Sequence, residues 1–190
     1  MNARRLKLAT IVVGIALSAL ALLAWTQEWF DVVLDSGQSI SVTGEIAAPA
    51  LTALALSGLA LAGALAIAGV VFRVILGVLQ AALGALILTS ALMAALDPIG
   101  ASSRAITDAT GVAGSESISV LVSSVTASGW PWATVVIGAA LIVLGLAIVA
   151  TARRWPVSSR KYQAVQLENE QGERSTIGDW DALSDGRDPT

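Results

Sequence analysis

The sequence predicts an all-α integral membrane protein, a bundle of four transmembrane helices with both termini in the cytoplasm. Of the 190 residues, 55% are hydrophobic and 13% are charged, whereas a soluble domain carries about 25% charged residues. The longest apolar stretch, residues 46–96, contains one charged residue, Arg73. This stretch is about twice as long as one crossing of the bilayer requires.

Arg73 predicts how that long stretch folds. A charge at the bilayer centre costs on the order of 3 kcal/mol or more, whereas a charge at the interface costs little. Two antiparallel spans, about 47–71 and 74–96, with a turn at residues 71–74 therefore place Arg73 at the membrane surface. A short loop that carries only a basic residue favours the cytoplasmic side.

The remaining spans are predicted at about 8–26 and 132–152. A cleaved signal peptide is the alternative for the first, but its apolar run is longer than a typical signal core and lacks a small-residue cleavage site. Basic residues next to the predicted spans act as topology anchors. They are Arg4, Arg5, Lys7, Arg73, Arg153 and Arg154.

The two loops on the other side, 27–46 and 97–131, hold acidic residues and one basic residue, Arg104. Residues 32–34 and 40–43 are β-branched or alternating around a turn at 35–37, which predicts a hairpin. A lone hairpin is marginal in water, so we expect support from residues 119–126, a strand or an amphipathic surface piece. The two loops thus predict a small β-rich extracytoplasmic cap.

The domain organisation follows: a four-span membrane domain, 1–152, and a mostly disordered cytoplasmic tail, 153–190, with few apolar residues to bury. Within the bilayer, spans associate through small residues. The second and third spans each carry such residues at four-residue steps, which predicts that the two rows face each other. These rows are Gly58, Ala62 and Ala66, and Gly77, Ala81 and Ala85.

The composition excludes several kinds of site. Histidine and cysteine are both absent, which removes the commonest general base and metal ligand together with thiol chemistry. No ionisable residue lies in the middle of a predicted span, so the machinery of coupled transport is missing. We therefore expect no enzyme, no metal and no cofactor. The expected partner is the lipid bilayer, and the charge pattern does not indicate nucleic acid.

The candidate ligand-binding residues are Gln80, Trp130 and Trp132. Gln80 is the least expected polar residue within a span, and an interhelical hydrogen bond is its competing explanation. Proline between Trp130 and Trp132 fixes the angle between two indoles, which together suit a small planar molecule. The competing explanation for Trp132, as for Trp25, Trp29 and Trp155, is the aromatic belt at headgroup level.

The end of the tail is a candidate linear motif for a cytoplasmic protein partner. Trp180 and Leu183 form an aromatic and aliphatic pair three residues apart, followed by Asp185, Asp188 and Pro189. The competing interpretation is a plain solvated tail.

Several short motifs together resemble a known family. They are Trp130-Pro131-Trp132, Arg154-Trp155-Pro156, Arg160-Lys161-Tyr162, Gly44 with Pro49-Ala50-Leu51, and the ending 180–190. In these the chain resembles the actinobacterial tryptophan-biosynthesis-associated (trp-operon-associated) membrane protein family. The resemblance covers essentially the whole chain. It implies a small inner-membrane protein linked to tryptophan synthesis, and it carries over no catalytic residue.

These observations leave three alternative functions. The first is a non-enzymatic accessory protein that recruits a cytoplasmic partner through its tail. The second is an uncoupled carrier of tryptophan, indole or a related aromatic molecule, which a polar cavity along Gln80, Thr89 and Ser90 would favour. The third is an extracytoplasmic sensor or envelope-interaction module, which ordered and paired segments in both outer loops would favour. The sequence predicts neither the ligand nor the oligomeric state.

Overall fold

The computed structural model of the chain describes residues 3–152, which belong to one compact unit, Met1–Trp155. The chain forms two layers. The elements in chain order are α1 (Ala3–Thr26), β1 (Glu28–Leu34), β2 (Ser39–Thr43), α2 (Gly44–Ala47), α3 (Leu51–Ile67), α4 (Val70–Leu96), α5 (Pro98–Thr110), α6 (Ser115–Leu121), β3 (Val122–Ala127) and α7 (Trp130–Thr151). The long apolar helices α1, α3, α4 and α7 form a bundle, and the other elements form a layer that we call the cap.

Three helices of the bundle are long and apolar enough to cross a membrane: α1 from Arg5, α4 and α7. Helix α3 is equally apolar but shorter, with 17 residues. Its bounds differ from the predicted span 47–71 at both ends. It begins at Leu51 because Pro49 forces the preceding Ala48 out of the helical region, to φ −142° and ψ 67°. It ends at Ile67, and Ala68 and Gly69 are extended.

The turn of the hairpin is therefore at Ala68 and Gly69, and the prediction of a turn at 71–74 is wrong. Arg73 lies in the first turn of α4 and is 3% exposed instead of lying on the open surface. Its Nε donates to the Ala68 carbonyl at 3.0 Å and its Nη1 to the Ala152 carbonyl at 3.5 Å. The carboxyl ends of α3 and α7 carry the negative ends of their helix dipoles, which compensates the buried guanidinium.

Helices α4 and α7 make the closest contact in the bundle. A Cβ built on Gly84 would lie 2.7 Å from the Ile142 amide nitrogen, and one on Gly145 would lie 2.5 Å from the Ala81 amide nitrogen. The two backbones touch, as small residues permit in lipid. The predicted pairing of the rows on α3 and α4 is wrong, because Gly77 and Gly84 face α7 and Gly58 faces Ser18 of α1.

The cap contains a three-stranded antiparallel sheet in the order β2-β1-β3. The predicted hairpin is confirmed, and β3 supplies the support that it was expected to need. Phe30 pairs with Val42 on one side and Ala127 on the other. Phe30 and Val32 point into a core shared with Ile106 of α5 and Ile118 of α6. The opposite face is hydroxyl-rich, since Asp31 pairs with Ser41 and Thr126 there.

The predicted outer loop 97–131 contains two helices that sequence reasoning missed. Helix α5 has Asp97 as its N-cap and Pro98 in its first turn, and it ends at Gly111 with a left-handed φ of 72°. These are ordinary start and stop signals of a helix. Many Ser, Thr and Gly residues obscured them, but the apolar positions Ala105 and Ile106 are buried against the sheet.

We expect Gly145→Ala to lower the free energy of unfolding by about 1–3 kcal/mol, because its Cβ would collide with the α4 backbone and force it away. The measurement is unfolding in mixed micelles, followed by circular dichroism. Gly63→Ala on α3 is the matched control, since nothing lies within 4 Å of its added Cβ. Equal stabilities for the two variants would contradict the close contact of α4 and α7.

Candidate functional site

The main cleft in the described part of the chain lies between α5 and α6 in the cap. Its volume is about 660 Å³, within the range of about 300–1,000 Å³ that is usual for small-molecule sites. Seven of its eleven lining residues have polar side chains, and two are isoleucines. The lining residues are Asp97, Ile99, Gly100, Ser103, Arg104, Thr107, Asp108, Gly114, Ser115, Ile118 and Ser119.

The wall formed by α5 follows from the periodicity of that helix. Gly100, Arg104 and Asp108 recur every four residues, so they share one face. The opposite face carries the buried Ala105 and Ile106, which pack into the cap core. Packing against the core therefore orients α5 with its charged face toward the cleft.

Asp97 begins this wall and fixes the start of α5. Its Oδ1 accepts a hydrogen bond from the Gly100 amide at 2.9 Å. A Cβ on Gly100 would collide with the Asp97 carboxyl group, so a larger residue there would force that carboxyl group to shift. Asp97 also borders a second cleft of about 300 Å³ between the start of α3 and the end of α4, which reaches Ser90.

Two opposite charges stand on the α5 wall of the main cleft. Arg104 and Asp108 are both exposed and are four residues apart. Within residues 3–152, the Arg104 side chain forms no hydrogen bond or ion pair. The cleft therefore offers a guanidinium that can donate to an anionic group and a carboxylate that can accept from a cationic one.

The hydroxyl groups of the cleft have different duties. The Thr107 hydroxyl donates to the Val112 carbonyl at 3.0 Å and holds the turn after α5. The Ser119 hydroxyl donates to the Glu116 carbonyl at 2.8 Å within α6. Ser103 also lines the cleft, beside Arg104, and takes part in neither of these two hydrogen bonds. No group of three His, Cys, Asp or Glu side chains able to hold a metal ion is found in the described part of the chain.

Gln80 lies elsewhere, on the buried face of α4, and is 2% exposed. Its Nε2 has no hydrogen-bond partner within the described residues. Thr89 is exposed, and its hydroxyl donates to the Ala85 carbonyl of its own helix at 2.9 Å. A third cleft, of about 150 Å³, is lined by the start of β1 and the end of β3. None of the three clefts is lined by Gln80 or Thr89.

The structure does not bring Trp130 and Trp132 together into one aromatic site. Trp130 is half-buried against the shared core, whereas Trp132 is 52% exposed. Residues two apart on a helix point to different sides, which separates the two indoles in spite of the intervening proline.

Trp29 corrects the prediction of an aromatic belt. It is 0% exposed, and its Nε1 donates to the Ala24 carbonyl at 2.8 Å. Its ring meets Phe30 edge-on, with 6.4 Å between centroids. A Cβ on Gly44 would lie 2.8 Å from the Trp29 Nε1, so these residues form the joint between α1 and the cap. The prediction failed because a tryptophan at the end of a span can lie either at the lipid interface or in the contact between a helix and a domain outside the bilayer.

The predicted anchors divide into two groups. Lys7 donates from its Nζ to the Ala66 carbonyl at 2.6 Å, near the end of α3, Arg5 is exposed, and Arg73 is buried at the same end of the bundle. The other anchors and the tail motif lie outside the residues whose side chains the structure describes. They are Arg4, Arg153, Arg154, Trp180, Leu183, Asp185, Asp188 and Pro189.

Arg104 and Asp108 are the charged residues of the cleft that sequence reasoning did not select. The signal that would have found them is the helical spacing of Asp97, Arg104 and Asp108 between an Asp-Pro start and a Gly stop. The sequence does mark Arg104 as the one basic residue of the two predicted outer loops. Because α5 was not predicted, nothing indicated which residues lie beside it.

No curated protein matches this chain, and no solved structure does. The model of one protein family, described as tryptophan-associated transmembrane protein, matches residues 8–190. The match includes the spans, the cap and the tail, so it extends over nearly the whole sequence. The chain belongs to the tryptophan-associated transmembrane protein family, in agreement with the resemblance seen in its motifs.

Proposed function

We propose that this chain is a non-enzymatic membrane accessory protein of tryptophan metabolism, in which the cap binds a small polar ligand outside the cell. The observation that carries the proposal is the folding of both outer segments into one layer. Strand β1 comes from the first segment and β3 from the second, and the Ser128 hydroxyl donates to the Glu28 carbonyl at 2.8 Å. The cleft between α5 and α6 lies in this layer and is lined by residues of the second segment.

The shared sheet supports four spans, with α3 as the fourth. Strands β2 and β3 lie in one sheet, so they lie on one side of the membrane, and α3 and α4 connect them. If α4 crosses the membrane, α3 must cross it too. Its 17 residues give a length of about 25 Å, which is near the lower limit for a spanning helix.

Charge supports an orientation with both termini and the α3–α4 turn in the cytoplasm. Arg5, Lys7 and Arg73 lie at the end of the bundle away from the cap. The cap instead holds seven acids and one basic residue, Arg104. The acids are Glu28, Asp31, Asp35, Glu45, Asp97, Asp108 and Glu116. Basic residues remain preferentially in the cytoplasm.

The alternative of a carrier for tryptophan or indole has less support. A carrier would need a polar path through the bundle, but Gln80 is enclosed on the tightly packed face of α4, and Thr89 bonds its own helix. Gly77 and Gly84 on the same face as Gln80 are in backbone contact with α7. This contact favours an anchor over a channel.

The tail is proposed as a second binding element of the same accessory protein. The family match continues through the tail to residue 190, which supports a role for the ending 180–190 beyond a solvated terminus. In the proposed orientation it faces the cytoplasm and recruits a protein there through Trp180 and Leu183.

The cleft is tested by single-cysteine alkylation, since the chain has no cysteine. With the full chain in nanodiscs, we expect L-tryptophan to slow alkylation of Ser119→Cys by about tenfold at ten times its Kd, and indole is measured beside it. Ser41→Cys, on the opposite sheet face, is the control and should react at one rate throughout. Flux of either compound into proteoliposomes, with no protection of Ser119→Cys, would instead establish the carrier.

The tail is tested by removal of residues 180–190 from the chain expressed in its host. We expect cytoplasmic proteins that co-purify with the intact protein to be lost from the truncated one, because the pair Trp180 and Leu183 is removed. A variant with Glu168→Gln and Glu170→Gln changes two tail charges before the motif, keeps residues 180–190 and serves as the control. An unchanged set of co-purifying proteins after truncation would refute recruitment by the tail.

A further inference from the structure

We infer that the cleft between α5 and α6 binds a free α-amino acid as its zwitterion. Arg104 holds the carboxylate, Asp108 holds the ammonium group, and the side chain lies against the half-buried Ile99. This inference rests on the proposed function of the cap as a binding module, and it names the chemical class of the ligand.

The first support is the presence of both charges on one wall. The guanidinium of Arg104 presents a planar fork that matches a carboxylate with two parallel hydrogen bonds. Asp108 is four residues further along α5, so the Cβ atoms are about 5–6 Å apart. Side chains at this distance can converge on two groups attached to the same carbon atom, which is where an α-amino acid carries its charges.

The second support is that these two charges are left available. They are four residues apart on a helix but form no ion pair within 4 Å. An exposed pair of this kind contributes about 0–1 kcal/mol, so a ligand that engages both groups sacrifices little interaction energy between them. Asp97 is committed through Oδ1 to the Gly100 amide, which leaves Asp108 as the carboxylate for the ammonium group.

The charge pattern disfavours other classes of ligand. A simple anion would meet the carboxylates of Asp97 and Asp108, and a simple cation would meet Arg104. A neutral ring such as indole would leave both charges unpaired. A residue inside a peptide carries neither backbone charge. The zwitterion satisfies both charges, and the half-buried Ile99 supplies an apolar surface for its side chain.

The test is equilibrium dialysis of radiolabelled L-tryptophan and L-leucine against the full chain in nanodiscs. Competitors remove one charge at a time: tryptamine lacks the carboxylate, indole-3-propionate lacks the ammonium group, and indole lacks both. We expect each competitor to displace the label only at concentrations at least about tenfold higher than unlabelled L-tryptophan. A tenfold difference corresponds to about 1.4 kcal/mol for a lost charged contact.

Variants assign each charge to its residue. Arg104→Gln and Asp108→Asn should each weaken L-tryptophan binding about tenfold or more. Asp35→Asn, an exposed cap residue outside the cleft, should leave it unchanged. Because Arg104 and Asp108 are exposed, their variants should unfold at the same temperature as the unaltered chain, which separates lost binding from lost folding.

The outcomes distinguish the two proposals. Indole or tryptamine binding as tightly as L-tryptophan, with Ser119→Cys protected, would refute the zwitterion and keep the cap as a binding module. Absence of amino acid binding would also refute the zwitterion, and absence of protection by every compound would refute the binding module with it.

Discussion

Contact between the backbones of α4 and α7 is the constraint on which the rest of the structure depends. Lipid provides no hydrophobic drive for helix association, so close packing at small residues has to provide it. The amide nitrogens of Ala81 and Ile142 leave no space for a Cβ on Gly145 and Gly84. This contact aligns the end of α4 with the start of α7, and the segment between them, which contains α5, α6 and β3, folds back onto β1.

The far end of the bundle depends on two basic side chains. Backbone carbonyls at the end of a helix need partners, most of all where water is scarce. Lys7 bonds the Ala66 carbonyl, and Arg73 bonds those of Ala68 and Ala152. These two basic residues thus close the ends of α3 and α7. In the proposed orientation, the same charges would also face the cytoplasm.

The sequence alone predicts the apolar helices, the hairpin of β1 and β2 and the family, because each leaves a local signal in hydropathy, turn residues or motifs. Partners of helices are harder to predict, since a row such as Gly58 and Ala62 fits any similar row. The burial of Arg73 was also hidden, because it depends on the Ala152 carbonyl, distant in sequence. The cleft could not be predicted from the sequence, because it forms only when α5 and α6 pack together and place Arg104 and Asp108 on one of its walls.

The central claim is that four spans bring both outer segments together on the outside of the cell. Single cysteines at Ser41 and Ser123, one in each segment, and at Ser175 in the tail test it most directly with a membrane-impermeant maleimide on intact cells. With four spans, Ser41→Cys and Ser123→Cys should be labelled in intact cells, and Ser175→Cys only after permeabilisation. Labelling of only one of the two cap positions would contradict it, because the segments would then lie on opposite sides.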